Sequence, residues 1–532
     1  MKRLLLLALS AALLGLAVAG CGEQKKEEAP KAESAVAGKT LRLAIDADPV
    51  SLDPHVQLSG GMLQYSHMVF DPLVRWTKDM KFEPRLAESW EQVDPTTIRF
   101  KLRQGVTFHS GNPFTAKDVA WTLARLKQAI DYKGLYEPFG EPVIVDDHTI
   151  DIKTVRPYGL TLNMCTYIFP MDSAFYTGTD DKGLPKDANV KTEYSFANGN
   201  ESGTGPFMVT SYEPGQKWVL KRFQNYWDKD TGNVSEIVLT PITEDATRVA
   251  ALLAGDVDWI MPVPPQDYER IRSTEKVKLI TMPGTRVITF QMNVNRVEAF
   301  KDKRVREAFV RAVNNVGIVQ TIMKGDATPA FQNSPQGYAG HIADLAPLYD
   351  LEKAKQLMKD AGHEQGFVVS MIAPNNRYVN DEKIAQAVAA MLAKINVKVE
   401  LRTMPKAQFW DEFDAQVADV QMIGWHADTE DSANYMEYLN ACPNKETGLG
   451  QYNSANYCNP KVDELVLAAG GETDMAKRAA MLQEAERMLY DDFAFIPLHW
   501  QMLSWASSNK VANAEEIVNV MDFPYFGDLN ME

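Results

Sequence analysis

Two hydrophobic periods alternate along this chain, and that alternation restricts its fold more than any other feature. In "TIRFKLR" (97–103), Ile98, Phe100 and Leu102 share one face, and "TIDIKTV" (149–155) repeats the pattern with Ile150 and Ile152. A period of two residues is that of a half-buried strand. Between these segments, "FTAKDVAWTLARLKQAI" opens with Thr115 and Asp118 at capping-box spacing, then puts Val119, Leu123, Leu126 and Ile130 on one helical face. "DKRVREAFVRAVN" (302–314) and "DLEKAKQLMKDAG" (350–362) each begin with Asp, and Gly362 ends the second, so both predict helices. "DEKIAQAVAAMLAKINVKVEL" (381–401) predicts a helix and then a strand, with Val397, Val399 and Leu401 alternating; "ADVQMIGW" (418–425) predicts another strand. The fold class expected is α/β, in several domains.

The N-terminus restricts where the chain works. Lys2 and Arg3 precede an apolar run from Leu4 to Val18, which is short for a permanent membrane span and suits a signal peptide over residues 1–20. The run ends in Val18-Ala19-Gly20-Cys21, which resembles a bacterial lipobox, so Cys21 is expected to carry lipid as the first residue of the mature chain. Residues 21–39 are charged and small and lack aromatics, the composition of a flexible tether. Lipid would hold the body at the periplasm or the outer face of the cell membrane.

A net charge of −16 disfavours nucleic acid and anionic lipid surfaces as partners. In an oxidising compartment Cys442 and Cys458, close in sequence, are expected to form a disulfide. Cys165 reads as a buried small hydrophobe.

No G-x-S-x-G, H-E-x-x-H, Walker A, G-x-G-x-x-G or C-x-x-C motif is present. Hence no catalytic residue, metal site or cofactor is expected. "GWHADTEDSANY" (424–435) lies just past a predicted strand end, where ligands bind in open α/β sheets. It admits two readings. One is a solvated acidic loop. The other is a pocket with Trp425 as aromatic wall, close backbone approach at Gly424, and Asp428 aimed at a cation. His426 is the histidine in this stretch, and a metal-ligating role for it is the less favoured alternative.

Several stretches resemble the extracellular solute-binding proteins of family 5, the dipeptide- and oligopeptide-binding proteins of ABC importers. They include "LRLAIDADPVSLDPH" (41–55), "VFDPLVRW" (69–76), "FKLRQGVTFHSGNPFTAKDVAWTLAR" (100–125), "GTGPFMVTSYEPGQKWVLKRFQNYW" (203–227), "ALLAGDVDWI" (251–260) and "YNSANYCNPKVDELVLAA" (452–469). The resemblance implies a periplasmic-binding-protein fold of type II, cluster C: two lobes on a hinge plus an extra domain. Carried over, domain I is 40–74, 192–285 and 502–532, domain II (the extra domain) is 75–191, and domain III is 286–501. Hinge crossings fall near "RVITFQMN" (286–293) and "FIPLHWQMLSW" (495–505).

In peptide-binding members an aspartate after a Gly-Trp pair meets the ligand's α-ammonium, which places that role on Asp428. Backbone around Gly424 and His426 would pair with an extended peptide, and Arg377 would take its carboxylate. Glu430 and Asp431 read as solvated loop. Family members often follow the aspartate with a second acid and proline; here Ser432 follows Asp431, which points to a reshaped pocket. The implied partners are a short peptide or similar amine-bearing solute and an ABC permease and ATPase complex, with the protein a monomer. A metal chelate (nickel), an opine or a sugar is the alternative cargo, and a secreted hydrolase the remote alternative.

Overall fold

The computed structural model describes residues 38–191 and 195–532. The expected signal peptide, Cys21, tether residues 21–37 and the boundary at 192 lie outside the described residues. Among those described, no helix is long and apolar enough to cross a membrane.

The strand Val277–Met292 is 16 residues long, about 50 Å at the usual rise per residue. It runs antiparallel beside Ile496–Ser508, and these two long strands join both halves of one sheet. On one side, Trp259–Met261, Lys39–Ile45 and Val234–Pro241 continue the sheet. On the other, Val420–Trp425, Val368–Pro374 and Lys398–Met404 do so. Each half contains parallel strands joined through helices: Asp245–Ala254 in the first, Asp381–Leu392 and Lys406–Asp414 in the second.

Two separate cores go with the halves. One gathers Leu41, Trp218 and Trp259 with C-terminal residues such as Phe526. The other gathers Phe290, Phe309, Val388 and Met422. A four-stranded antiparallel sheet, ordered Ala87–Asp94, Thr97–Leu102, Thr149–Lys153, Val143–Asp146, forms the extra domain. Its Phe100, Leu123 and Ile152 belong to the first core, so it packs as part of the first lobe.

The local reading holds at most points. Ile98 and Phe100 pair opposite Ile152 and Ile150. Helix Ala116–Leu126 starts at the Thr115/Asp118 capping box. Helices Lys303–Ala312 and Leu351–Asp360 are capped by Asp302 and Asp350. Ile130 differs from expectation: the helix ends at Leu126 and Ile130 is 56% exposed. Its periodic spacing lies beyond the last helical turn, where no core surface meets it. Cys165 is fully buried.

Cys442 and Cys458 are joined by a disulfide across a separation of 16 residues. Closing a loop of that size stabilises by about 3 kcal/mol in the chain-entropy model. Urea unfolding with and without reductant should show a loss of that size, and Cys442→Ala/Cys458→Ala should reproduce it without reductant.

The long strands do not run in register throughout. Pro283 pairs with Met502, but the next pair is Val287 with Trp500. Gly284, Thr285 and Arg286 therefore stand against the single residue Gln501, a bulge at the crossing between halves. A bulge turns side chains out of the ladder's alternation and bends the strand. Gly284 permits it, because a Cβ there would lie 2.6 Å from the Gln501 carbonyl oxygen.

Candidate ligand-binding cleft

The bulge opens on a cleft of about 580 Å³ between the halves of the sheet. The first half supplies Asp46, the start of helix Gly60–Val69 and the C-terminal segment Val520–Phe523. The second half supplies His426, Asp428 and Glu430, and the extra domain supplies Tyr167. Residues 426–430 lie just past strand Val420–Trp425, so the expected strand-end location holds.

The acidic stretch is not a solvated loop. Asp431 is buried, caps helix Ser432–Leu439 by accepting from the Ala433 N–H at 2.8 Å, and receives both guanidinium nitrogens of Arg478 at 2.5 and 2.7 Å. Glu430 is also buried; it accepts hydrogen bonds from the Tyr338 and Tyr167 hydroxyls. Its backbone, at φ 51°, turns in the left-handed region. Asn163 of the extra domain donates to the Thr429 and Glu430 carbonyls at 3.0 and 3.3 Å, tying the loop across the cleft. These partners lie far away in sequence, which is why charge density alone misassigned Glu430 and Asp431 to solvent.

Held between these anchors, Asp428 is different. It lines the cleft, is exposed to solvent there, and makes no hydrogen bond or ion pair with any described residue. Burial raises its pKa; His426 and Arg286 oppose the rise and Glu430 adds to it. Opposite it, Asp522 is pushed up to about 7 by burial and by neighbouring Asp46. The cleft gathers Asp46, Asp428 and Asp522, and this concentration of carboxylates favours a ligand that brings positive charge.

The other expected site residues fall differently. Trp425 does not line the cleft. Its ring stacks on Tyr438 with centroids 5.2 Å apart, and its Nε1–H donates to Asn434 Oδ1 at 2.8 Å. Gly424 offers no free edge to an added strand: it pairs with Ile288 on one side, and its carbonyl accepts from the Tyr378 hydroxyl at 3.3 Å. A Cβ at Gly424 would lie 2.5 Å from Ile288 and 2.6 Å from Tyr378, so glycine serves internal packing. His426 meets the cleft, but its Nδ1 is 2.7 Å from Thr285 Oγ1 and its Nε2 3.5 Å from Glu430. No cluster of three His, Cys, Asp or Glu side chains suited to a metal is found among the described residues.

Arg377 does not line this cleft but a neighbouring cavity of about 490 Å³, together with Tyr268, Lys324, Lys383 and Met502. Its guanidinium sits 5.1 Å from the centre of the Tyr378 ring. The arginine in the cleft is Arg286, on the bulge. It was invisible to sequence reasoning because "PGTRVITF" reads as plain strand, and the bulge depends on Gln501, more than two hundred residues later. The Pro283-Gly284 pair was the available signal.

A model described as "Bacterial extracellular solute-binding proteins, family 5 Middle" matches residues 81–447. The glutathione-binding protein of Salmonella typhimurium is 26% identical over 491 residues, covering 90% of this chain and 92% of that protein. Among solved structures, HbpA2 from Haemophilus parasuis superposes with TM-score 0.80 at 22% identity, covering 93% of this chain and 100% of that one. A dipeptide-binding protein from a Pseudoalteromonas species, in complex with Met-Leu, gives 0.72 at 22% identity over 93% and 100% of the two chains. The two-lobed sheet, the cleft at its crossing and the match over most of the body agree: this chain belongs to the family 5 bacterial extracellular solute-binding proteins, the substrate-binding components of ABC importers.

Proposed function

We propose that the protein is a lipid-anchored receptor, held through Cys21, that captures short peptides or similar amine-bearing solutes between its lobes and delivers them to an ABC permease. The observation that carries this reading is Asp428, a cleft carboxylate without a protein partner, on a loop whose other acids are all engaged. In a closed cleft one carboxylate against one ammonium is far stronger than on an open surface. The relatives' ligands, glutathione and Met-Leu, both carry a free ammonium and fit this chemistry.

Ligand contact with both lobes would favour the closed form, which would dock on the permease. The hinge would act at the Gly284–Arg286 bulge, with lobe boundaries near 285 and 502. The extra domain, 75–191, would move with the first lobe, whose core it shares.

Native mass spectrometry of the purified full-length protein tests the reading. Co-purifying masses of short peptides are expected, and Asp428→Asn should lose them, with affinity reduced about 30-fold or more, since unpairing a desolvated charge costs roughly 2–5 kcal/mol. A metal or sugar mass in their place, or unchanged peptide affinity in the variant, refutes the peptide reading.

A further inference from the structure

The extra domain shares its core with the first lobe, yet it also reaches across to the second. A first contact is Met80, at the tip of the hairpin Val74–Trp76 and Phe82–Pro84, where the backbone turns at φ 58°. Met80 packs against the first lobe's core and also against the second lobe's cluster of Val287, Tyr338, Tyr435 and Trp500. Gly337 of the second lobe lies against it: a Cβ there would be 3.1 Å from Met80 Cγ.

A second contact is backbone to backbone. The Gly159 N–H donates to the Gly470 carbonyl at 3.0 Å. A Cβ on Gly159 would lie 2.5 Å from the Glu472 carbonyl oxygen and 2.7 Å from Arg478 Nε, so glycine is what allows this approach. The third contact is Asn163, whose side-chain amide donates to the Thr429 and Glu430 carbonyls, with the Tyr167 hydroxyl on the Glu430 carboxylate beside it. Asn163, Tyr167 and Glu430 are all buried. Thr429 and Glu430 directly follow Asp428, so the same bonds fix the loop that presents that carboxylate.

All of these are direct protein contacts, and none uses Asp428. Because the extra domain travels with the first lobe, they exist only while the lobes are together. Each bond is modest in net terms, since water replaces it on opening, but the set biases the equilibrium towards closure. We infer that the extra domain is a clamp that holds the lobes closed through its own contacts, with Asn163 the positioning residue that sets the Asp428 loop. A solute then meets a closed form that is already populated, and apparent affinity for every solute rises by the same factor. The inference rests on the hinge motion proposed above and not on which solute enters.

The test uses full-length protein, unfolded in urea with its disulfide intact, refolded, and shown by native mass spectrometry to carry no solute. Hydrogen exchange is read at the amide of position 159, whose partner lies in the second lobe, and at Ile98–Leu102, whose partners lie within the extra domain. In the parent, the position-159 amide should exchange about tenfold or more slowly than an unprotected one, the scale of several net hydrogen bonds. Asn163→Ala should speed it about fivefold, and Gly159→Ala, whose methyl collides with the second lobe, should remove the protection. Both variants should leave Ile98–Leu102 as protected as in the parent. An unprotected position-159 amide in the parent overturns the clamp and leaves the peptide reading standing. Loss of protection at Ile98–Leu102 in step with position 159 also overturns it, because the signal then reports the extra domain's own folding. Full protection of position 159 in both variants would fix the extra domain to the second lobe and overturn the clamp together with the hinge assignment.

Discussion

Arg478→Met is expected to lower the stability of the second lobe by about 3–5 kcal/mol, the usual cost of stranding one charge of a buried pair. Arg478 is 0% exposed, and its guanidinium holds both oxygens of Asp431. Its Nε also donates to the Ala469 carbonyl at 3.0 Å. Without it, Asp431 stays buried and charged with only its capping bond. That loss falls on the loop that presents Asp428, so ligand affinity should decline together with stability. Denaturant unfolding followed by far-ultraviolet circular dichroism reads the first effect, and peptide titration the second. The double variant Asp431→Leu/Arg478→Met should recover much of the stability, because it removes both charges. A single variant as stable as the parent would show that the pair contributes nothing to the loop.

Arg125→Met should produce a loss of similar size in the first lobe. Arg125 comes from the helix of the extra domain and binds both carboxylate oxygens of Asp53, at 2.9 and 2.5 Å. Asp53 is 0% exposed and also accepts from the His55 N–H and from Asn189. Burial pushes the Asp53 pKa up, but Arg125 more than offsets this and the net direction is down. The sign of the pH effect follows. A carboxylate with a lowered folded pKa stabilises fully above its unfolded value, about 3.9, and loses that contribution as pH falls through the folded value. The parent should therefore lose stability below about pH 4 more steeply than Arg125→Met, and the two unfolding curves should converge. Parallel pH profiles for the two proteins would refute the role of the pair. Peptide binding should change little at neutral pH in Arg125→Met, because neither Arg125 nor Asp53 lines the cleft.

The two variants also separate the lobes. Arg478 and Asp431 belong to the half that carries Asp428, whereas Arg125 and Asp53 fasten the extra domain to the other half. Because the two large cores do not merge across the crossing, damage to one pair should leave the other half's packing intact. Hydrogen exchange resolved by segment would show protection lost around residues 428–439 in the first variant and around 53–55 and 116–126 in the second.

Local interactions were legible in the sequence because their partners sit within one helical turn or one strand. Thr115 and Asp118, Asp302, and Asp350 cap helices where spacing placed them. The alternation in 97–103 and 149–155 gave paired strands, and Cys442 and Cys458, only 16 residues apart, are bonded. Asp428 could be singled out by its place after a strand end and by resemblance to the family. What the sequence left open were contacts between distant residues. Asp431 meets Arg478 47 positions later, and Glu430 meets Tyr167 263 positions earlier. Both turned an apparent solvated loop into a rigid mount. Trp425 and Gly424 turned inward because Tyr438 and Tyr378 pack on them. Arg286 enters the cleft because two strands lose register against Gln501. Short-range hydrogen bonding and periodicity are properties of a segment, so the amino-acid order alone determined the elements and the family. Which charges are buried with partners and which are left to face a ligand depends on what folding brings together, and only the tertiary structure decided that.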